Sequence, residues 1–522
     1  MKKYLILLLS LTVVPAVYGQ IGGHLTGSFE SNSIGYINDK GLDAVTAVSP
    51  DDHFGSNNYL KADYFNGRLS AGIQVEAYLP ALQGYDIAAY GKGHRFLLAT
   101  KYVQWQDQNY SLRVGDIFEQ FGNGLIFRSY EDRALGFNNS IEGVWGSYNF
   151  GGFVNVKALW GRPRLYDYYA DSYVRGADAE VSLSDIFAWS DGSATLGGSF
   201  VNRYEAIGEE SPFYDIIKPN LNLYSVHGEV GWKGFNLRGE YAEKGNDIES
   251  VANAPAEGRA YLAEIGYSRP RLSILGAFRH LEHMNTLLTV NGSGTGNVLN
   301  YLPALTRQYT YMLANLNPYQ VSTAGETGGQ ADIYYTLRSA SNRDRYWNFH
   351  ANLSTYYSTK EITNGESTLL WRDVNADVER QWSKKFKTTL LVSVQEWSPS
   401  HGMLRRTCVS NIFVLDMTYK FNRQKSIRAE LQYLYSEDYE GDWMAALVEF
   451  NIAPKWSFYL SDMYNNGQTD IHYYNGGFSY THSRTRLQLS YGRNRAGYLC
   501  SGGVCRYTPA YTGVNLMLTS SF

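Results

Sequence analysis

The chain of 522 residues carries 46 Lys and Arg against 50 Asp and Glu, a net charge of -4, so no nucleic acid or other polyanion is implied as a partner. Its mean hydropathy is -0.34, and after the first residues no window approaches about 18 consecutive apolar residues, which excludes a helical membrane protein. With 15% aromatic residues, 44 Tyr and 51 Gly, the composition suits the interfacial girdles and tight turns of a β-barrel better than a soluble enzyme.

Lys2 and Lys3 precede the apolar run Tyr4 to Val14, and small residues follow at Ala16 and Gly19. This is the pattern of a secretory signal over residues 1–19, with cleavage before Gln20 and a single barrel domain over 20–522. From Gly22 onward, segments of about ten residues with period-two alternation recur. Leu69, Ala71, Ile73, Val75 and Ala77 alternate with Ser70, Gly72, Gln74 and Glu76, while Phe235, Leu237, Gly239 and Tyr241 alternate with Asn236, Arg238 and Glu240. Ile427, Ala429, Leu431, Tyr433 and Tyr435 do the same with Arg428, Glu430 and Gln432. One face is fit for lipid, the other for water.

Short turns are expected at Asn66-Gly67, Gln106 to Asn109, Asn149 to Gly152, Lys233-Gly234, Arg269-Pro270, Ser383 to Lys385, Asn422 to Lys425, Ala453-Pro454 and Ser483-Arg484, with longer ones at Asp185 to Ser193 and Ala340 to Asp344. Joined to a first strand near Gly22 to Glu30 and a closing strand, they give an all-β, single antiparallel transmembrane β-barrel of about 24 strands, roughly 22 to 26 once boundary errors are allowed. The remaining connections fall on the outer side: Asn32 to Gly55, Ala81 to Gly93, Gly161 to Asp171, Ile207 to Pro219, Gly245 to Glu257, Met284 to Gly328, Ser398 to Arg405 and Asn494 to Pro509.

One dense stretch breaks the rhythm. In Val114 to Gly143 the alternation gives way to glycine and clustered charge, so the chain is expected to fold inward, with Glu119, Arg128, Glu131, Asp132 and Arg133 facing one another in or near the lumen. They would form either a charged constriction or a salt-bridged brace. The residues Gly115-Asp116, Glu119-Gln120-Phe121-Gly122, Gly124-Leu125, Arg128, Tyr130-Glu131, Arg133, Leu135-Gly136 and Asn138-Asn139, with Tyr301 to Thr306 further on, resemble an uncharacterised outer-membrane β-barrel family of Bacteroidota. The resemblance implies a place and a fold, and carries no catalytic or binding role.

Within Met284 to Gly328, Leu302, Leu305, Tyr309 and Met312 recur at helical spacing behind Pro303, so a short amphipathic helix is expected in a loop that plugs the lumen, caps its mouth or packs on the surface. Asp373, Asn375, Asp377 and Glu379 form an acidic ladder on one strand face, read as a water-facing stripe or a cation-attracting one. His280, Glu282 and His283 lie close in sequence but not on one face, and Gly292, Gly294 and Gly296 lack the strand and helix that a phosphate loop needs. No catalytic set, cofactor or metal site is expected.

Cys500 and Cys505 bracket Ser-Gly-Gly-Val and are close enough for a loop-stapling disulfide, leaving Cys408 over. Val514, Leu516, Leu518 and Phe522 share the apolar face of a final strand expected to pair with the first. The reading that follows is a porin-like channel or transport component in the bacterial outer membrane, or else a scaffold with a sealed lumen that docks a surface partner. Its surroundings would be outer-membrane lipid and lipopolysaccharide, with the solute or partner unspecified.

Overall fold

Alternation in the sequence becomes wall in the structure, a computed structural model that describes residues 22–45, 53–85, 94–248, 255–340, 342, 344–360, 365–501 and 504–522. The signal segment at residues 1–19 lies outside them. The main sheet has 25 members, and all but the two-residue Tyr168–Tyr169 are wall strands, so 24 antiparallel strands close into a barrel. Strand His24–Ile37 pairs with Tyr511–Ser521 from Ser28↔Ser521 to Ile37↔Thr512. Phe522 completes the seam: its N–H donates to the Gly27 carbonyl at 2.9 Å and its carbonyl accepts from Gly27 at 3.0 Å. A Cβ on Gly27 would sit 2.2 Å from the Phe522 ring, so only glycine lets that ring lie across the seam.

Each expected short turn joins two wall strands, and closure pairs every strand on both sides, as lipid requires of exposed backbone. The turn after Ala179 and Val181 contains a one-turn helix, Leu183–Ile186, where the Ser182 hydroxyl caps the N-terminus by accepting from Asp185 N–H. The first strand is longer than expected and takes in Ser31 to Ser33. There the polar side chains bond across the pair, Ser31 to Asn58 at 2.7 Å and Ser33 to Ser56 at 2.8 Å, so the ladder continues past the apolar alternation. Strand Val154–Leu165 likewise runs into the stretch expected to be loop.

The outward residues form bands. Trp232, Phe235, Trp382, Phe421 and Trp456 are exposed near the short turns, Trp160, Tyr204, Tyr224, Tyr241 and Tyr435 near the long connections, and Leu196, Leu237, Ile265, Leu353, Leu390, Leu431 and Leu460 between them. Two aromatic rings flanking an aliphatic belt match a bilayer core and its two interfaces.

Candidate functional site

The lumen is occupied by the chain's own connections, and the first enters at Ile117. Strand Tyr110–Ile117 ends and Ile141–Phe150 begins beside it, with residues 118–140 turned inward between them. Gly115 makes the departure possible: its φ is +112°, and a Cβ there would lie 2.1 Å from the Lys101 carbonyl. Asp116, fully buried, holds both sides of the exit by accepting from Lys101 N–H at 2.9 Å and from the Ser140 and Tyr169 hydroxyls at 3.0 Å each.

Inside, a bridge between Gln120 and Arg128 folds the segment back on itself. Phe121, Leu125, Ile126 and Phe127 have 0% exposure and pack against luminal Val174, Val201, Leu223 and Ala242. The five charged residues expected to face one another are instead spread along the segment. Lys157 of the wall donates to Glu119 at 3.2 Å. Arg128 is stacked between the rings of Tyr301 at 3.9 Å and Tyr130 at 4.6 Å. Asp132 accepts the N–H groups of Ala134 and Leu135 and shapes a turn. Only Glu131 and Arg133 meet, at 3.4 Å, and both reach the wall: Arg133 donates to Glu30 at 2.9 Å and Glu131 accepts from Gln74 at 2.6 Å. The physical reason is that each charge finds a nearer partner: Glu119 the wall's Lys157, Arg128 two tyrosine rings and Asp132 two backbone N–H groups.

The second occupant is the long loop, residues 283–324. Its first half is stitched to the inward segment: Tyr301 N–H donates to Gly124 O at 2.9 Å, Arg128 N–H to Leu299 O at 3.0 Å, and Asn300 to Leu125 O at 3.0 Å. Met284, Leu288 and Leu299, all at 0% exposure, join the same core. Buried wall charges grip its backbone. Arg203 pairs with Asp247 at 2.7 Å and donates to Leu287 O at 2.7 Å; Glu205 accepts from Thr289 and from Val290 N–H; Lys244 donates to Asn285 O at 2.8 Å. The fully buried Arg279 bridges Glu326 and the Pro303 carbonyl.

No amphipathic helix forms in this loop. Two overlapping turns, in which Tyr311 O accepts from Asn315 N–H at 3.1 Å and Leu313 O from Leu316 N–H at 3.3 Å, do not extend into a helix. The apolar residues at helical spacing go to different places, Leu302 to the core with Phe121 and Met312 to the far wall, so the spacing reflects two anchor points.

The second half of the loop lies on the acidic ladder. Tyr309 donates to Asp373 at 2.7 Å, and Arg307 donates to Asn375 and pairs with Asp377, each at 2.7 Å; His350 approaches Asp377 at 2.9 Å and Asp332 at 3.1 Å. Glu379, nearer the turn, binds Lys387 instead. Leu313 N–H donates to Gln432 at 2.8 Å, and Gln395 donates to Ala314 O at 2.9 Å. The ladder is therefore the seat of the loop, a role that its alternation alone did not signal.

The plug occupies the outer part of the lumen. Along strand Asn220–Trp232 the inward residues Leu223, Ser225 and His227 are buried, whereas Glu229, one step nearer the turn, is exposed. Below the plug lies a water-accessible vestibule. Over its outer side, the hairpin of Gly497–Ser501 and Val504–Thr508 carries a disulfide between Cys500 and Cys505, and Cys408 is free and buried. His280 meets Glu282 at 3.1 Å on the wall, and no group of three metal-ligating side chains occurs among the described residues.

A family of unknown function (DUF6029) matches residues 1–522. No curated protein matches the sequence. Among solved structures, the P pilus usher (PapC) translocation pore is 10% identical over 96% of this chain and 99% of its own, with a TM-score of 0.45. The siderophore receptor PirA from Pseudomonas aeruginosa is 10% identical over 96% and 80%, with a TM-score of 0.43. A chain of the E. coli P pilus tip assembly intermediate PapC-PapD-PapK-PapG is 11% identical over 96% of this chain and 61% of that one, with a TM-score of 0.50. At such identities the likeness is one of fold alone.

Proposed function

The chain belongs to that family of unknown function, and from its geometry we propose that it is an outer-membrane transport barrel kept shut at rest by its own loops. The observation that carries this reading is the lumen. Two inward segments fill its outer part, one side by a large apolar core and the other by hydrogen bonds to acids with a smaller apolar cluster around Leu313 and Ala314, above an open vestibule. The banded exterior supports a place in lipid, with outer-membrane lipid and lipopolysaccharide as surroundings, and the signal-like residues 1–19 support export. A Bacteroidota source belongs to the same proposal, on the stretch from Gly115 to Asn139.

In this reading Glu119, Glu131 and Arg133 brace the fixed part of the plug, and the charged constriction lies elsewhere. Once residues 306–315 move off their seat, Asp373, Asp377 and Asp416 line the passage and favour cations or neutral solutes. A sealed scaffold is the second reading, favoured by the same apolar core, because exposing each buried Leu or Phe would cost about 1.5–3 kcal/mol.

The two readings part in a planar bilayer. The expected result is a silent native protein and intermittent conductance from an Arg307→Ala, Tyr309→Phe double variant that still shows heat-modifiable migration. Silence from both, with folding intact, overturns the transport reading in favour of the scaffold.

A further inference from the structure

A cavity of about 470 Å³ opens at the outer mouth, between the last stretch of the plug loop and the outer connections near Ser398, Tyr439 and Tyr498. This volume lies within the roughly 300–1,000 Å³ typical of small-molecule sites. Its walls carry aromatic rings: Trp371, Trp397, Tyr439, Tyr473, Tyr498 and Tyr507. Trp397 and Tyr439 stand nearly perpendicular, at 80° and 5.2 Å, and Tyr498 and Tyr507 at 69° and 5.5 Å, so their faces point in different directions around the space.

The polar groups narrow the ligand class. Glu440 and Arg495 form a two-point ion pair at 2.9 and 3.1 Å, which leaves the lining without an excess of either charge. A charged ligand would have to break that pair. Asn317, Gln320 and His401 also line the cavity, and their side chains make no hydrogen bond among the described residues. An alkyl chain would leave them unanswered. A ligand that offers apolar faces to the rings and hydroxyl groups to the amides, the imidazole and the ion pair satisfies all of them.

We infer that this cavity binds a neutral polyhydroxylated ring compound, an oligosaccharide of two or three sugar rings. Its floor is the stretch Leu316 to Ser322 of the plug, and Arg495 donates to the Leu316 carbonyl at 3.3 Å, so the ligand would rest on the stretch that directly follows residues 306–315, the part proposed to move. The site does not depend on the transport reading, since it is a property of the closed state.

The test is isothermal titration of the full-length protein, purified in a detergent without a sugar head group, with maltotriose, cellotriose, lactose and delipidated lipopolysaccharide core oligosaccharide, and with benzoate as the charged aromatic control. Saturable binding of a neutral glycan, weakened about tenfold or more by Tyr439→Ala and by Glu440→Gln but not by Trp189→Ala at an inner turn, is the expected result. Binding of the free sugars or of the core oligosaccharide tells whether the source is soluble or anchored in the membrane. No saturable heat from any glycan up to about 10 mM, preferential binding of benzoate, or glycan binding untouched by both cavity variants overturns the inference. Tyr439 is half exposed on a loop, so its variant is expected to fold, and heat-modifiable migration checks that it has. A silent bilayer leaves this result unaffected, which separates failure of the site from failure of the transport proposal.

Discussion

The two sides of the lumen are filled by one loop in different ways. Residues 283–305 are packed with the inward segment 118–140 into an apolar core and are gripped by charges with almost no exposure, Arg203 at 2% with Asp247 at 1%, and Arg279 and Glu326 at 0%. Residues 306–315 touch the opposite wall through Arg307, Tyr309 and Tyr311, with Leu313 and Ala314 as apolar anchors. A charge with almost no exposure that loses its partner is left stranded in a low-dielectric site, whereas Arg307 and Asp377 keep 17% and 14% of their side chains exposed, so water can take over that contact. One side is thus built to stay and the other can let go.

The sharpest way to break this comparison is to remove one partner of a charge pair on the fixed side. Arg203→Ala strands Asp247 and frees the Leu287 carbonyl, and it is expected to destabilise the barrel by about 3–5 kcal/mol, read as a lower temperature for the heat-modifiable shift. Leu125→Ala, which leaves a void beside Phe121 and Leu299, should cost about 2–5 kcal/mol by the same measure without producing steady conductance. If either variant folds normally and conducts freely, the fixed side is misassigned. On the releasing side, Tyr309→Phe removes one hydroxyl bond to the fully buried Asp373, which keeps its bond from Ser393, and should cost about 1–3 kcal/mol, while raising the frequency of openings in the bilayer. Openings that rise as much in Leu125→Ala as in Tyr309→Phe would erase the distinction between the two sides.

Much of the wall could be read directly, because lipid on one face and water on the other impose a period of two, and the inner turns carry Gly, Pro and Asn at the joints. The strand number follows from those turns and agrees with the structure. The plug was less legible. Residues 118–140 show their inward course through glycine and charge, but the charges take separate partners on the wall and in the backbone, and the apolar core of Phe121, Leu125, Ile126 and Phe127 beside them has no periodic signal. A signal for a filled lumen did exist on the opposite wall, where the loop's Leu313 and Ala314 pack. The run Ile412-Phe413-Val414-Leu415 is apolar on both faces, and Ile412 and Val414 prove to be buried against the plug while Phe413 faces out. Consecutive apolar residues mean a strand covered on both sides, and a water-filled lumen would have required alternation there.

The seam offers the smallest effect, and it tests whether the mouth is latched independently of the plug. Asp39, in the first outer connection, accepts from Arg493 at 2.7 and 2.8 Å and from the Thr512 hydroxyl at 2.6 Å, tying that connection to the last two strands. The Arg493 hydrogen bonds hold its carboxyl below the ordinary aspartate value of 3.8. A carboxylate with a depressed folded value stabilises fully above its unfolded value and loses that contribution as the pH falls through the folded one. Asp39→Asn should therefore cost about 0.5 kcal/mol at neutral pH, the scale of a solvent-screened ion pair, and the gap from the native protein should close in acid, below the ordinary aspartate range. Thermal shifts of the two proteins across that pH range measure the difference. Among the described residues, Asp39 bonds to Gly41, Arg493 and Thr512 and to no residue of the plug, so its variant should leave the opening frequency unchanged even though Leu42 nearby shares an apolar cluster with Leu313. An Asp39→Asn protein that opens as often as Tyr309→Phe would make the mouth and the plug one device, and the releasing side would then extend to the barrel's own seam.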